Sequence, residues 1–213
     1  MKENRARAPR ATDRFAALAA DLVELGRELE RRRWALATSG NLSAVVDRNP
    51  LSLAVTPTGV GMGFLAADRI LRIDGEGALL DGSGVPSAET PLHLEVVRSR
   101  GAGAVVHTHS LWSTLASESR DGVELAGFEM LKGLAGVSTH EHREWLPSVP
   151  NSQDMARLTA AVGGALAAHP GCHGFLVGGH GLYTWGADLV EARRHLEVLE
   201  FLLEVTGRAR GEP

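Results

Sequence analysis

The stretch GFLVGGHGLYTWG, residues 174–186, indicates how the sheet of this protein is built. Two short runs of aliphatic and aromatic residues are separated by a glycine-rich segment that contains His180. Such runs are typical of β-strands, and a few turn residues between them predict a β-hairpin. Because a hairpin joins antiparallel neighbours, the sheet cannot be wholly parallel.

The rest of the chain supplies further strands and the helices that cover them. ILRIDGEGALLDG (70–82) predicts a second hairpin, LSLAVTP (51–57) alternates like a strand, and residues 104–109 form a short apolar strand. Helical spacing of apolar residues predicts helices over 13–36, 89–101, from about 111, from 151 or 152 to 168, and over 187–209. This order predicts an α/β sandwich with a mixed, mostly antiparallel sheet, and not a doubly wound fold.

Composition limits the class of protein. The 213 residues are 44% hydrophobic, which suits a single domain over 12–213 that follows a polar, disordered tail over 1–11. The formal net charge of −4 comes without long blocks of one sign, so we expect neither nucleic acid nor a membrane as partner. The chain has no apolar core of signal-peptide type and one cysteine, Cys172, which together predict a cytoplasmic protein without an internal disulfide.

Two histidines stand one residue apart in AVVHTHS (104–110). Alternate residues of a strand share a face and lie roughly 6.6 Å apart, which lets the imidazoles of His107 and His109 converge on one metal ion. The alternative is two histidines that form ordinary hydrogen bonds where a strand meets a turn.

His180, with a glycine on each side, is the candidate for a third ligand. Three protein ligands and one open position describe catalytic zinc, whereas a turn histidine exposed to water would need no metal. THEH (139–142) offers a rival pair, His140 and His142. That stretch is polar and precedes Pro147, so it predicts a loop that lines the substrate or is structural.

Three glycine- and hydroxyl-containing stretches, TSGNLS (38–43), TPTG (56–59) and PSAE (86–89), offer hydroxyl and backbone N–H donors to a phosphate. Taken singly, each is equally typical of an ordinary turn. Two glutamates are candidates for proton transfer near a metal: Glu89, at a predicted helix start, and Glu129, in GFEMLKG. Otherwise Glu89 would only interact favourably with the helix dipole, and Glu129 would be a solvated surface residue.

Taken together, these motifs resemble the class II aldolase/adducin family. The resemblance covers nearly all of residues 13–207, and the stretches that carry it, in order, are TSGNLS, TPTG, PSAETPLH, AVVHTHS, GFEMLKG, GHGLYTWG and EARRHLEVLEFLLE. EMLKG and LYTWG are similar to a dehydratase branch of the family. The resemblance implies a three-layer α/β/α sandwich and zinc-dependent dehydration of 5-methylthioribulose 1-phosphate to 2,3-diketo-5-methylthiopentyl 1-phosphate, a step of methionine salvage.

The resemblance also implies roles for individual residues. One zinc ion per subunit would be held by His107, His109 and His180, in a homotetramer whose sites lie near subunit interfaces. The phosphate of a phosphosugar substrate would be bound by a set drawn from the three donor stretches: Gly40, Asn41, Thr58, Gly59, Ser87 and Ala88.

The acid–base group differs between branches of the family. In its sugar-phosphate aldolases the base is the glutamate that corresponds to Glu89, and in the dehydratase branch it is the one that corresponds to Glu129. This chain has both, and Glu129 is the preferred acid–base residue. The alternatives are an aldolase or epimerase of another sugar phosphate, and a non-catalytic adducin-like interaction module, which would not need the three histidines.

Overall fold

The computed structural model describes residues 11–119, 121–209 and 211. Apart from Ala11, the predicted tail over 1–11 lies outside this part of the chain. The α-helices of the described residues are α1 (Ala11–Arg31), α2 (Thr90–Arg100), α3 (Leu111–Ser117), α4 (Met155–Ala168) and α5 (Leu189–Ala209). Three short 3-10 segments occupy Met62–Phe64, Ala67–Arg69 and Glu129–Gly133.

The strands form one sheet in the order β4-β3-β2-β1-β5-β9-β8-β7-β6. The strands are β1 (Asn41–Arg48), β2 (Leu51–Val55), β3 (Leu71–Asp74), β4 (Leu79–Asp81), β5 (Ala104–Thr108), β6 (Gly122–Ala126), β7 (Arg143–Val149), β8 (Gly174–Val177) and β9 (Gly181–Gly186). Only β7 and β8 pair in parallel within the described chain. The predicted mixed, mostly antiparallel sheet and both predicted hairpins, β3–β4 and β8–β9, are confirmed.

Helices cover both faces of the sheet. One core cluster joins α1 and α5 to the first face, and Trp112 of α3 packs against it. A second cluster joins α2 and α4 to the opposite face, where Tyr183 and Phe175 are fully buried. The architecture is therefore the three-layer α/β/α sandwich of the prediction. Among the described residues, no helix combines the length and apolar composition that crossing a bilayer requires.

The structure corrects two details of the prediction. The first helix ends at Arg31 and not at residue 36, because Arg33 and Ala37 adopt left-handed backbone conformations with φ of 62° and 55°. Strands β1, β6 and β7 were not predicted. The first of these matters for function, because β1 lies between β2 and β5 and carries part of TSGNLS directly into the centre of the sheet.

Candidate active site

Three histidine side chains converge at the centre of the sheet. His107 lies near the end of β5, His109 follows that strand, and His180 lies in the turn between β8 and β9. Because β5 and β9 are neighbours, the turn is held against the end of β5. The Nε2 atom of His107 lies 2.8 Å from Nε2 of His109 and 3.2 Å from Nε2 of His180.

This arrangement fits a divalent metal ion such as zinc. Nitrogens at zinc-ligand distance in a tetrahedron lie roughly 3.3 Å apart, close to the separations in this cluster. The Nδ1 atom of His107 donates a hydrogen bond to the Leu182 carbonyl, 2.9 Å away, which leaves the lone pair of Nε2 free for a metal. Burial lowers the pKa of His107 well below its usual range and that of His109 to about 4, so both imidazoles are neutral, as ligands must be.

The carboxylate of Glu89 lies beside these nitrogens. Its Oε1 is 3.0 Å from Nε2 of His180, and its Oε2 is 3.5 Å from Nε2 of His107. The Asn41 amide donates to Oε2 at 2.6 Å. Burial acts to raise the pKa of Glu89, but the hydrogen bond with His180, the electrostatic effect of the neighbouring histidines and the hydrogen bond from Asn41 outweigh it and hold the pKa well below its usual range. The site therefore contains an ionised carboxylate before any ligand binds.

A chain of hydrogen bonds fixes the orientation of the Asn41 amide. The Ser43 hydroxyl lies 2.7 Å from Nδ1 of His93, and Nε2 of His93 contacts the Asn41 carbonyl oxygen. Because an amide oxygen only accepts, His93 donates through Nε2 and its Nδ1 accepts from Ser43. Burial lowers the pKa of His93 to about 4, in agreement with this neutral form. The Asn41 nitrogen is thereby directed at Glu89 and at the Ser87 hydroxyl, 3.2 Å away.

The sequence interpretation gave no role to His93, nor to Tyr183. The ring of Tyr183 stacks on His107 with centroids 3.8 Å apart and planes within 9°. A signal for both was present in the sequence. His93 lies one helical turn after Glu89, and Tyr183 lies in the strand that follows His180.

TSGNLS (38–43), the first of the three stretches that offer donors to a phosphate, lies against the histidine cluster. Asn41 pairs with His107 across β1 and β5. Gly40 has φ of +75°, and a Cβ at this position would lie 2.8 Å from the His107 carbonyl oxygen. The position therefore requires glycine for both its backbone conformation and its space.

The other two donor stretches lie next to each other. The Thr58 N–H donates to the Val85 carbonyl at 2.9 Å, and an isolated bridge joins Pro57 to Pro86. Thr58, Gly59 and Ala88 are exposed. The structure thus brings these loops to the side of the site where Asn41 contacts Ser87, and whether they bind phosphate stays a prediction.

Glu129 lies outside the histidine cluster of its own chain. It begins the 3-10 segment Glu129–Gly133, and its side chain is 71% exposed. Its carboxylate accepts a hydrogen bond from the Lys132 ammonium at 2.7 Å, which lowers its pKa, and Nδ1 of His140 lies 3.8 Å away. Among the described residues, Glu129 forms no ion pair with the three converging histidines.

His140 and His142, the two histidines of THEH, lie in different surroundings. His140 is exposed beside Glu129, whereas His142 lies 2.9 Å from Glu144 and belongs to a different cluster with His173.

A buried glutamate supports the segment that carries His109. Glu200 of α5 is 2% exposed, and its carboxyl oxygens accept hydrogen bonds from the hydroxyls of Thr108, at 2.8 Å, and Ser110. These two residues flank His109 in the chain. Burial raises the pKa of Glu200 to about 7, against the effect of both hydroxyls.

Comparison with known proteins identifies the family of this chain. Residues 20–206 match the family model described as the Class II Aldolase and Adducin N-terminal domain. The chain belongs to this family. Within it, the chain is 43% identical over 195 residues to methylthioribulose-1-phosphate dehydratase of Sorangium cellulosum (strain So ce56), an alignment that covers 89% of this chain and 91% of the relative.

A second relative and a solved structure are also similar to this chain. Identity to the methylthioribulose-1-phosphate dehydratase of Methylococcus capsulatus (strain ATCC 33009 / NCIMB 11132 / Bath) is 42% over 199 residues, 92% of this chain and 96% of the relative. The crystal structure of l-fuculose-1-phosphate aldolase from Thermus thermophilus superimposes with a TM-score of 0.74 at 22% identity. That alignment covers 92% of this chain and 96% of the aldolase, and at this identity it shows the shared fold alone.

Proposed function

We propose that this protein dehydrates 5-methylthioribulose 1-phosphate to 2,3-diketo-5-methylthiopentyl 1-phosphate, a step of methionine salvage. The observation that carries the proposal is the convergence of His107, His109 and His180 beside the ionised Glu89. Support for the substrate comes from the two dehydratases that share 42–43% identity with about nine-tenths of this chain. The location we propose is the cytoplasm, where the buried free thiol of Cys172 would stay reduced.

The three histidines would hold one zinc ion per subunit. When bound, zinc supplies a Lewis acid that polarises the C2 ketone of the substrate and acidifies the proton on C3. The buried Nδ1 of His180 has no hydrogen-bond partner among the described residues, and its Nε2 lies beside Nε2 of His107, where the ion would be held. Glu89 contributes a fixed negative charge that partly compensates the charge of the ion.

Proton transfer is assigned to Glu129. Its carboxylate removes the C3 proton and then protonates the C4 hydroxyl, which leaves as water; the resulting enol becomes the 2,3-diketone. Glu89 is less suited to this role, because the Asn41 amide donates to its Oε2 at 2.6 Å and holds the carboxylate in place. A base must be able to reach the proton that it removes. Glu89 therefore positions the substrate or tunes the metal site.

The phosphate is assigned to the three donor stretches beside Asn41. Their donors are neutral: the Asn41 amide, the Thr58 and Ser87 hydroxyls, and backbone N–H groups of Gly40, Gly59 and Ala88. Such donors suit a phosphate that must be released after each turnover, since the three stretches contain no lysine or arginine.

We also propose a homotetramer, since Glu129 lies outside the cluster of its own chain and a neighbouring subunit is the source that would bring it to the site. Large apolar side chains are available for contact between subunits, since Phe64, Val190 and Leu111 are each more than 60% exposed. Sedimentation velocity should give a particle of four chains. A monomer at micromolar concentration would contradict this assembly.

Mixed subunits test the assignment of Glu129. Glu129→Gln chains and His107→Ala/His109→Ala chains should each be inactive alone. Co-expressed at equal levels, they should recover about one quarter of wild-type activity, because that fraction of sites in a random ring has histidines from one parent and Glu129 from the other. A mixture as inactive as its parents would contradict an acid–base residue supplied by a neighbouring subunit.

The activity itself is tested with purified protein and 5-methylthioribulose 1-phosphate. A diketone product and release of water without carbon–carbon cleavage support the dehydratase, while a shorter sugar phosphate would indicate an aldolase. In deuterated water, Glu129→Gln should lose proton exchange at C3 and roughly 10²–10⁴-fold in kcat, the usual contribution of a general acid–base. Glu89→Gln should have the milder effect, and the reverse order would make Glu89 the base.

A further inference from the structure

A second cluster of potential metal ligands lies at the other end of β8. His142 immediately precedes β7, Glu144 lies in β7, and His173 immediately precedes β8. Glu144 Oε2 is 2.9 Å from Nε2 of His142 and 2.9 Å from Nδ1 of His173. The three ligand atoms thus face one another, as those of a metal site do.

This cluster is separate from the active site. His173 lies before the first residue of β8 and His180 lies beyond its last residue. The four residues of β8 alone span roughly 13 Å at the rise of an extended strand, so the two clusters lie at opposite ends of this strand. A metal ion bound here would not be the ion held by the active-site histidines.

The surroundings of the cluster match those of metal ligands. Nε2 of His173 donates a hydrogen bond to the Ala135 carbonyl at 2.9 Å, which fixes the ring with Nδ1 directed at Glu144. The other carboxylate oxygen of Glu144 accepts from the His173 backbone N–H at 2.7 Å. Metal-bound histidines typically donate their second nitrogen to a carbonyl, and metal-bound carboxylates are themselves hydrogen-bonded.

The three side chains of the cluster differ in how deeply they are buried. The side chain of Glu144 is 1% exposed, whereas those of His173 and His142 are 15% and 32% exposed. The carboxylate is thereby held rigidly inside the protein while the imidazoles line a route from the solvent. An ion could enter along this route and keep water in its remaining positions.

We propose that His142, Glu144 and His173 form a second metal site, which takes a divalent ion of the zinc type with two imidazole ligands and one carboxylate ligand. Ions such as Zn²⁺ favour this mixture of nitrogen and oxygen donors, while Mg²⁺ and Ca²⁺ prefer oxygen alone. Because β7 and β8 are the parallel pair of the sheet, the ion would join the beginnings of two adjacent strands.

The competing interpretation is a buried ion pair without metal. Burial acts to lower the pKa of His173, but Glu144 outweighs it and raises the pKa, so a proton on Nδ1 holds the cluster together in the metal-free chain. A metal would have to displace this proton. The two interpretations differ in one measurable quantity, the zinc retained by the folded protein when the active-site histidines are removed.

The experiment therefore uses His107→Ala/His109→Ala protein as its background. Folded protein, checked by circular dichroism, is dialysed against buffered free Zn²⁺, and bound zinc per chain is measured by mass spectrometry. The background should retain about one ion, where the wild type retains about two. Adding His142→Ala should weaken zinc binding by more than about 100-fold, since loss of a supporting residue alone costs 10–100-fold.

His140→Ala is the matched control. His140 lies two residues away on the same loop, outside the cluster, and is more exposed than His142, so its removal should leave zinc binding unchanged. A background protein that holds no zinc would overturn the proposal, as would an equal loss from His140→Ala and His142→Ala. The active-site ion is absent from every variant compared, so these outcomes are independent of the proposed dehydratase activity.

Discussion

Replacement of Glu200 by glutamine should make this protein more stable at alkaline pH. The fold raises the pKa of this carboxyl from an ordinary value of 4.5 to about 7. Below pH 4.5 both the folded and the unfolded chain are protonated here, and there is no pH-dependent cost. Between pH 4.5 and 7 only the unfolded chain ionises, so the free energy of unfolding falls through this interval and levels off above it.

The size of the effect follows from the two pKa values. Each pH unit between them corresponds to 1.36 kcal/mol, which gives a loss of about 3 kcal/mol for the wild type at pH 8 relative to pH 4. Glutamine does not ionise, and its amide can still accept from Thr108 or Ser110 while donating to the other hydroxyl. Glu200→Gln should therefore lack this loss.

Urea unfolding followed by circular dichroism at pH 4.5, 6, 7 and 8.5 gives the difference between the two proteins. Titration of all other groups is common to both and cancels. Glu24→Gln is the control, because it makes the same substitution at an exposed position of α1. A difference between Glu200→Gln and wild type that stays constant over this range, or that favours the wild type as pH rises, would refute the reasoning.

Three further substitutions test the site. Gly40→Ala should destabilise the fold by about 1–3 kcal/mol in thermal unfolding, because the new Cβ would meet the His107 carbonyl at a left-handed backbone position. His93→Ala should lower kcat/KM by roughly 5–100-fold, with metal content unchanged, because it leaves the buried Asn41 carbonyl without its donor. Ser87→Ala should mainly raise KM, by a factor that corresponds to the loss of a hydrogen bond to a charged group, about 1–3 kcal/mol. The KM for the dephosphorylated sugar should not change.

The elements that the sequence predicted well are those with strong local signals. The β8–β9 hairpin has glycines at its turn, and α2 is followed by Gly101, which has a left-handed φ of 64°. By contrast, β1 is buried on both faces over its first six residues, so it lacks the alternation of polar and apolar residues that identifies a half-exposed strand. β7 contains Pro147, which is typically a sign against a strand.

The candidate site shows the same limit in its long-range contacts. The spacing of His107 and His109 indicated convergence, because a strand fixes the distance between alternate residues. No local pattern relates Glu89 to His180, or His142 to His173, since these contacts arise only when distant strands pair. The role of His93, a residue of α2, likewise depends on the Asn41 amide of β1.

The wide separation of the site residues along the chain has a consequence for folding kinetics. Asn41 and Glu89 are 48 residues apart, and His107 and His180 are 73 residues apart, although both pairs are in contact. Contacts of such high sequence separation close large loops and form slowly compared with helices and hairpins. We expect the hairpins to form early in refolding, and the pocket to gain protection from hydrogen exchange only in the last phase, when β5 inserts between β1 and β9.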